Sequence, residues 1–142
     1  MAALSITTSQ VLLSTGQTKT GFAGEAITPG QAVYYASSGK WLKAQCDGTA
    51  AEAGSGGYGI ALSQAAADGQ PLVVALPGAT VTLGAGAAPA AGTVYCIGAT
   101  AGALNPTADM ATTNKVTPIA LGIGSNKVKV LAEAYDAGAV VP

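Results

Sequence analysis

Short runs of apolar and β-branched residues, each bounded by glycine or proline, make up most of the chain after its first segment. At residues 127–130 two lysines alternate with two valines, so the valines are predicted to face a core and the lysines to face solvent. A period of two between turn residues is typical of β-strands. The predicted strands are 32–36, 41–44, 58–62, 72–76, 80–83, 93–97, 116–123 and 127–132.

Glycine-containing turns connect several of these strands. Residues 38–40 form the sequence Ser-Gly-Lys between two strands, which predicts a short hairpin loop, and Pro77-Gly78 predicts another tight reversal. About eight short strands at close spacing are typical of a sandwich or a barrel. We therefore predict an all-β fold, a single compact β-sandwich or barrel.

The order of turns and strands in the first part of the chain recurs in the second part, at an offset of about 60 residues. Duplication of a hairpin-plus-strand unit would explain this recurrence and predicts two related halves around a shared core. Chance similarity in a chain rich in alanine and glycine is the alternative. The segments 29–34, 39–42 and 59–62 correspond to 91–95, 102–104 and 118–122.

The first 24 residues differ from the rest in composition. They are rich in threonine, serine, glutamine and glycine, and their apolar cluster is short, Val11–Leu13. Such a segment buries too little apolar area to fold alone, so we expect it to become ordered against another protein. The sequence therefore predicts an extended N-terminal arm at residues 1–24 and a β-rich domain at residues 25–142.

The charge of the chain is low. Six lysines and seven acidic residues give a formal net charge of −1, and only 9% of the residues are charged. Without clustered cations we expect no binding to nucleic acid and none to a membrane surface. No apolar run approaches the about 18 residues of a spanning helix, and the N-terminus lacks a signal-peptide pattern, which predicts synthesis in the cytoplasm. A surface with so few charges suits permanent assembly with other protein chains.

The candidate chemistry is sparse. The chain has no histidine, which removes the commonest catalytic base, and Cys46 and Cys96 lack the spacing of a zinc site. We predict no catalytic residue, no metal and no cofactor, and expect both cysteines to be thiols; a small enzyme with an unrecognised site is the alternative. The carboxylates lie singly in the sequence, at Glu25, Asp47, Glu52, Asp68, Asp109, Glu133 and Asp136.

The order of several glycine-bounded segments resembles the small capsid decoration, or cement, proteins of tailed bacteriophages. These segments are GQAVYY at 30–35, GKWLKA at 39–44, YGIALS at 58–63, DGQPLVV at 68–74, AGTVY at 91–95 and PIALGIG at 118–124. The resemblance implies a non-enzymatic, β-rich structural protein on the outer surface of the virion. It also implies binding to the major capsid protein as a homo-dimer or homo-trimer, which stabilises the shell.

Six apolar or aromatic residues are the candidate contacts to such a partner. A module of a phage fibre or surface adhesin that binds glycans is the alternative function, and it should present exposed aromatic residues as sugar platforms. Because successive residues of a strand face opposite sides, one of Tyr34 and Tyr35 is expected to face out. The candidate contact residues are Val11, Leu12, Leu13, Phe22, Tyr35 and Trp41.

Overall fold

A computed structural model describes residues 6, 11–46, 52, 57–84, 89, 91–106, 115–116, 118–124, 126–131 and 139–140. These residues contain no helix, and their strands form antiparallel sheets of six and five strands with a separate two-stranded pair. The predicted all-β fold is confirmed. The strands are β1 (Leu12–Thr15), β2 (Thr18–Phe22), β3 (Ala32–Tyr35), β4 (Trp41–Lys43), β5 (Tyr58–Ala61), β6 (Pro71–Ala75), β7 (Thr80–Thr82), β8 (Val94–Ile97), β9 (Leu104–Pro106), β10 (Lys115–Val116), β11 (Pro118–Gly124), β12 (Lys127–Val130) and β13 (Ala139–Val140).

Each large sheet is built from one half of the chain. The five-stranded sheet has the order β2-β6-β5-β3-β4, and the six-stranded sheet has the order β7-β12-β11-β8-β9 with β1 added beside β7. If β1 and the short strands β10 and β13 are left out, each half has five strands, beginning with β2 in the first half and with β7 in the second. Numbered along the chain within its own half, each set lies in its sheet in the order first, fifth, fourth, second, third. This shared topology confirms the two related halves that the sequence repeat predicts.

The same backbone hydrogen bonds recur in both halves. In the first half the Gly30 N–H donates to the Ala61 carbonyl at 2.8 Å, and the Ala61 N–H donates to the Gln31 carbonyl at 2.9 Å. The corresponding bonds in the second half are Gly92 N–H to Gly122 O at 2.8 Å and Gly122 N–H to Thr93 O at 2.9 Å. Gly30 and Gly92 also share a positive φ, which only glycine adopts without strain.

The main core lies between the two sheets. It joins residues such as Tyr34 and Ile60 of the five-stranded sheet to Val81 and Val128 of the six-stranded sheet. A second cluster lies on the other face of the five-stranded sheet, because alternate residues of its strands face opposite sides. This second cluster consists of Ala23, Ile27, Val33, Trp41, Ala61, Ala65, Leu72 and Val74.

The five-stranded sheet closes on itself around the second cluster. Its two edge strands, β2 and β4, meet at a bridge between Ala23 and Trp41, and the Gly24 N–H donates to the Trp41 carbonyl at 2.8 Å. We call this junction the seam. The sheet is thus a small barrel whose interior is the second cluster, and its outer wall packs in part on the six-stranded sheet.

Charged side chains lie along the seam. The Lys43 N–H donates to a carboxylate oxygen of Glu25 at 2.9 Å, and the Lys43 ammonium lies 3.8 Å from that carboxylate. Lys40 and Asp68 form an ion pair at 2.7 Å in which both side chains are substantially exposed. Such exposed pairs contribute little stability, so the backbone bonds and the buried Trp41 are what chiefly hold the seam closed.

The predicted boundary between an arm at residues 1–24 and a domain at residues 25–142 is corrected by the strand pairing. Strand β1 pairs with β7, strand β2 pairs with β6, and Val11 and Ala23 are buried. Residues 11–24 therefore belong to the two sheets, while residues 1–5 and 7–10 lie outside the described part. Both strands lie at or near sheet edges and carry exposed threonine and serine, which explains their arm-like composition.

Candidate interaction surface

Five large apolar side chains are exposed in the described part of the chain. Four of them are residues that the sequence analysis proposes as partner contacts: Leu12 (67% exposed), Leu13 (37%), Phe22 (55%) and Tyr35 (37%). The fifth, Ile123, is 46% exposed. Four of the five lie on β1, β2 and β3, so the exposed apolar surface is concentrated in the first part of the chain.

Strand β1 forms one edge of the six-stranded sheet and carries leucines on both faces. Leu12 is in register with Thr82, and Leu13 is in register with the buried Val81, so Leu13 points to the side of the main core and Leu12 to the outer face. Both leucines nevertheless remain exposed, because no described strand lies beyond β1. The backbone N–H and C=O groups on the side of β1 opposite β7 also belong to the candidate interaction surface, because no described strand pairs with them.

Phe22 lies on the outer wall of the barrel at the end of β2. It is in register with the exposed Pro71, and Thr20 is in register with the half-buried Val73. These residues face away from the interior cluster, which takes its side chains from the opposite face of β6. The result is a small apolar strip that the six-stranded sheet does not cover.

Tyr35 is exposed, but two neighbouring side chains contact its ring. The Trp41 ring packs edge-on at a centroid distance of 5.1 Å, and the Lys19 ammonium lies 4.9 Å from the Tyr35 centroid. A cation over a tyrosine face is favourable but covers that face. Tyr35 therefore offers less free aromatic surface than its exposed fraction indicates.

The structure places the other two proposed contact residues inside the protein. Val11 is 7% exposed and belongs to the main core, and Trp41 is 3% exposed inside the barrel. The Trp41 Nε1 has no hydrogen-bond partner and lies against Gly21, where a Cβ would be 3.0 Å away. Both residues are therefore removed from the candidate surface.

Sequence reasoning missed Ile123. The register of β11 against β12 shifts between Gly122 and Gly124, which leaves Ile123 unpaired in a bulge with its side chain turned out. The run of residues 118–124 reads as a buried strand because it is almost wholly apolar. The glycine on each side of Ile123 is the sequence signal of the bulge.

A cavity of about 250 Å³ lies between the turn before β3 and the hairpin loop between β8 and β9. The amide oxygen of Gln31 in its wall accepts a hydrogen bond from the Thr28 N–H at 2.9 Å. All its lining residues are uncharged, so it holds no acid and base pair. Those residues are Ile6, Thr28, Pro29, Gln31, Thr100, Ala101, Gly102 and Ala103.

The described carboxylates take part in structural contacts, and both cysteines are buried. Glu25 and Asp68 pair with lysines at the seam, and Glu52 accepts a hydrogen bond from the side chain of Gln45. Cys46 and Cys96 are buried thiols; burial, and then the neighbouring Cys46, raises the pKa of Cys96 to about 11. A thiol of this kind is protonated at neutral pH and is a poor nucleophile.

Neither a metal-binding cluster nor a membrane-spanning helix is present in the described residues. They contain no group of three or more histidine, cysteine, aspartate and glutamate side chains that could hold a metal ion. Nor do they include a helix long and apolar enough to cross a membrane.

No protein-family model, curated protein or solved structure matches this chain. The resemblance to phage decoration proteins therefore depends on the order of glycine-bounded segments in the sequence.

Proposed function

We propose that the protein is a structural virion protein that binds the outside of a tailed-phage capsid and stabilises the shell by bridging major capsid protein subunits. The observation that carries the proposal is the exposed apolar surface on β1 and β2 of a compact all-β domain with very few charges. Apolar surface that a folded protein leaves exposed can mark a site that binds another protein. The resemblance of the sequence to decoration proteins supplies the kind of partner.

The stabilising mechanism follows from mass action. A protein that binds only the mature, correctly joined shell lowers the free energy of that state by its own binding free energy. Burying the exposed fraction of Phe22 would contribute roughly 1 to 2 kcal/mol per copy before the cost of association. Many copies on one shell multiply this modest contribution.

The described aromatic residues do not favour the glycan-binding alternative. Tyr34, Tyr58, Tyr95 and Trp41 are buried, and the Tyr35 ring is in contact with Lys19 and Trp41. A sugar platform needs a free aromatic face. Phe22 is the most exposed aromatic side chain of the described part, and it lies beside Pro71.

Capsid binding can be tested on the apolar strip of the barrel wall. Expanded capsids assembled from the major capsid protein of the phage that encodes this chain are mixed with wild-type protein, with Phe22→Ser, and with Ile123→Ser as the control. Ile123 is similarly exposed but lies in a bulge of the other sheet. We expect wild type and Ile123→Ser to cosediment with capsids and raise their disruption temperature, and Phe22→Ser to bind at least about tenfold more weakly.

Two outcomes would count against the proposal. Wild-type protein that fails to cosediment with expanded capsids at any concentration below the millimolar range would contradict the function itself. Equal occupancy by Phe22→Ser and wild type would show that the barrel wall is not the contact. Circular dichroism of each variant confirms that the fold is retained.

A further inference from the structure

Strand β1, four residues long, is the edge of the two large sheets that the described residues leave unprotected. The edges of the five-stranded sheet, β2 and β4, meet at the seam through Ala23 and Trp41. The other edge of the six-stranded sheet, β9, is three residues long and ends at Pro106, which has no backbone N–H to donate. Natural proteins usually shield open edges with charges, proline or covering segments, because a bare edge pairs with other strands.

The side chains of β1 favour pairing of its edge with another strand. No residue of β1 or of its neighbour β7 is charged, so an added strand would meet neither a lysine nor a carboxylate from these strands. Leu12 on the outer face and Leu13 on the inner face are both exposed. An incoming strand that continues the sheet would cover apolar surface on both faces while its backbone pairs with the free groups of β1.

We propose that the occupant of this edge is β1 of a second copy of the chain, paired antiparallel about a two-fold axis. Such an interface is isologous, so one uncharged, leucine-bearing strand supplies both sides and no further sequence is needed. The net charge of −1 produces almost no repulsion between two copies. The two six-stranded sheets then form one continuous sheet, and Phe22 lies outside it, on β2 of the five-stranded sheet.

One charge lies near the proposed axis and gives the interface a distinctive salt dependence. The Lys127 ammonium reaches across β7 to within 3.4 Å of the Ser14 hydroxyl. In the pair, two such ammoniums approach each other across the axis and repel. Added salt screens this repulsion, so the dimer is expected to tighten as ionic strength rises, and Lys127→Gln should tighten it at low salt.

The test is the self-association of purified protein, measured by sedimentation equilibrium, with a matched pair of variants. Leu12→Lys introduces a charge at the proposed interface, whereas Phe22→Lys introduces the same charge at a comparably exposed apolar position on the barrel wall. We expect a wild-type dimer at micromolar concentration, at least about 100-fold weaker association for Leu12→Lys, and unchanged association for Phe22→Lys. Both positions are exposed, so both variants should fold.

A measurement on the wild type avoids mutation altogether. Amide hydrogen exchange in β1 should slow as protein concentration increases, while exchange at the seam stays constant. A monomer across the micromolar range would overturn the inference, as would a dimer that Phe22→Lys disrupts and Leu12→Lys does not. Wild-type monomers whose capsid occupancy is abolished by Leu12→Lys would assign the edge to a capsid strand instead. The sedimentation and hydrogen-exchange measurements use the isolated protein, so their failure is independent of capsid binding.

Discussion

Replacing Val11 with alanine tests whether the N-terminal segment is part of the fold. Val11 is 7% exposed in the main core, and its Cγ2 lies 3.3 Å from where a Cβ on Gly30 would be. The substitution removes two buried carbons at about 0.8 kcal/mol each and leaves a small cavity, so the free energy of unfolding should fall by about 2 kcal/mol. For a domain of this size that corresponds to a decrease in Tm of roughly 8 °C.

The neighbouring residue is the control. Leu12→Ala removes more carbon atoms than Val11→Ala. Because Leu12 is 67% exposed, however, this substitution should lower the free energy of unfolding by less than about 1 kcal/mol. Urea unfolding of both variants and of wild type is compared at one protein concentration, because self-association through β1 would otherwise contribute. If Val11→Ala lowers the free energy of unfolding no more than Leu12→Ala does, then β1 does not pair with β7 in solution, and residues 11–15 are an extended arm.

Two further predictions concern contacts inside the domain. The Tyr58 hydroxyl donates to the Leu131 carbonyl at 2.9 Å and joins the two halves, so Tyr58→Phe should lower the free energy of unfolding by about 1 kcal/mol in urea titrations. The control is Tyr35→Phe at an exposed tyrosine, which should have no measurable effect. The raised pKa of Cys96 stabilises the fold fully below its ordinary value of 9.0, and this contribution is lost as pH rises through about 11. Stability should therefore decline more steeply across that range in wild type than in Cys96→Ala, and parallel curves would contradict the buried thiol.

The strands that sequence reasoning found are those with a buried face. Residues 58–61 and 72–75 carry regular apolar patterns between glycines or prolines, and the structure places strands there within a residue or two of the predicted ends. Strand β2 was missed because four of its five residues are exposed and no face of it shows an apolar period. Strand β9 was missed because three residues ending in proline give no periodic signal.

The sequence indicates which residues are apolar enough to contact a partner, but it does not show which of them are exposed. Leu13 and Val11 are both apolar and lie two positions apart, yet one is exposed and one is buried. Which of them reaches the core depends on the pairing of β1 with a strand far away in the sequence. The burial of Trp41 likewise depends on closure of the barrel at Ala23, and sheet curvature leaves no local mark in the sequence.

The topology of the two halves also determines the order in which the sheets can be completed during synthesis. Every strand of the barrel lies between Thr18 and Ala75, so all its pairings become available before the second half of the chain has been made. Strand β1 is made first but pairs with β7, which follows the whole barrel. Its leucines therefore emerge from the ribosome long before their sheet exists, and β1 has neither of its two sides paired within its sheet until β7 has been made.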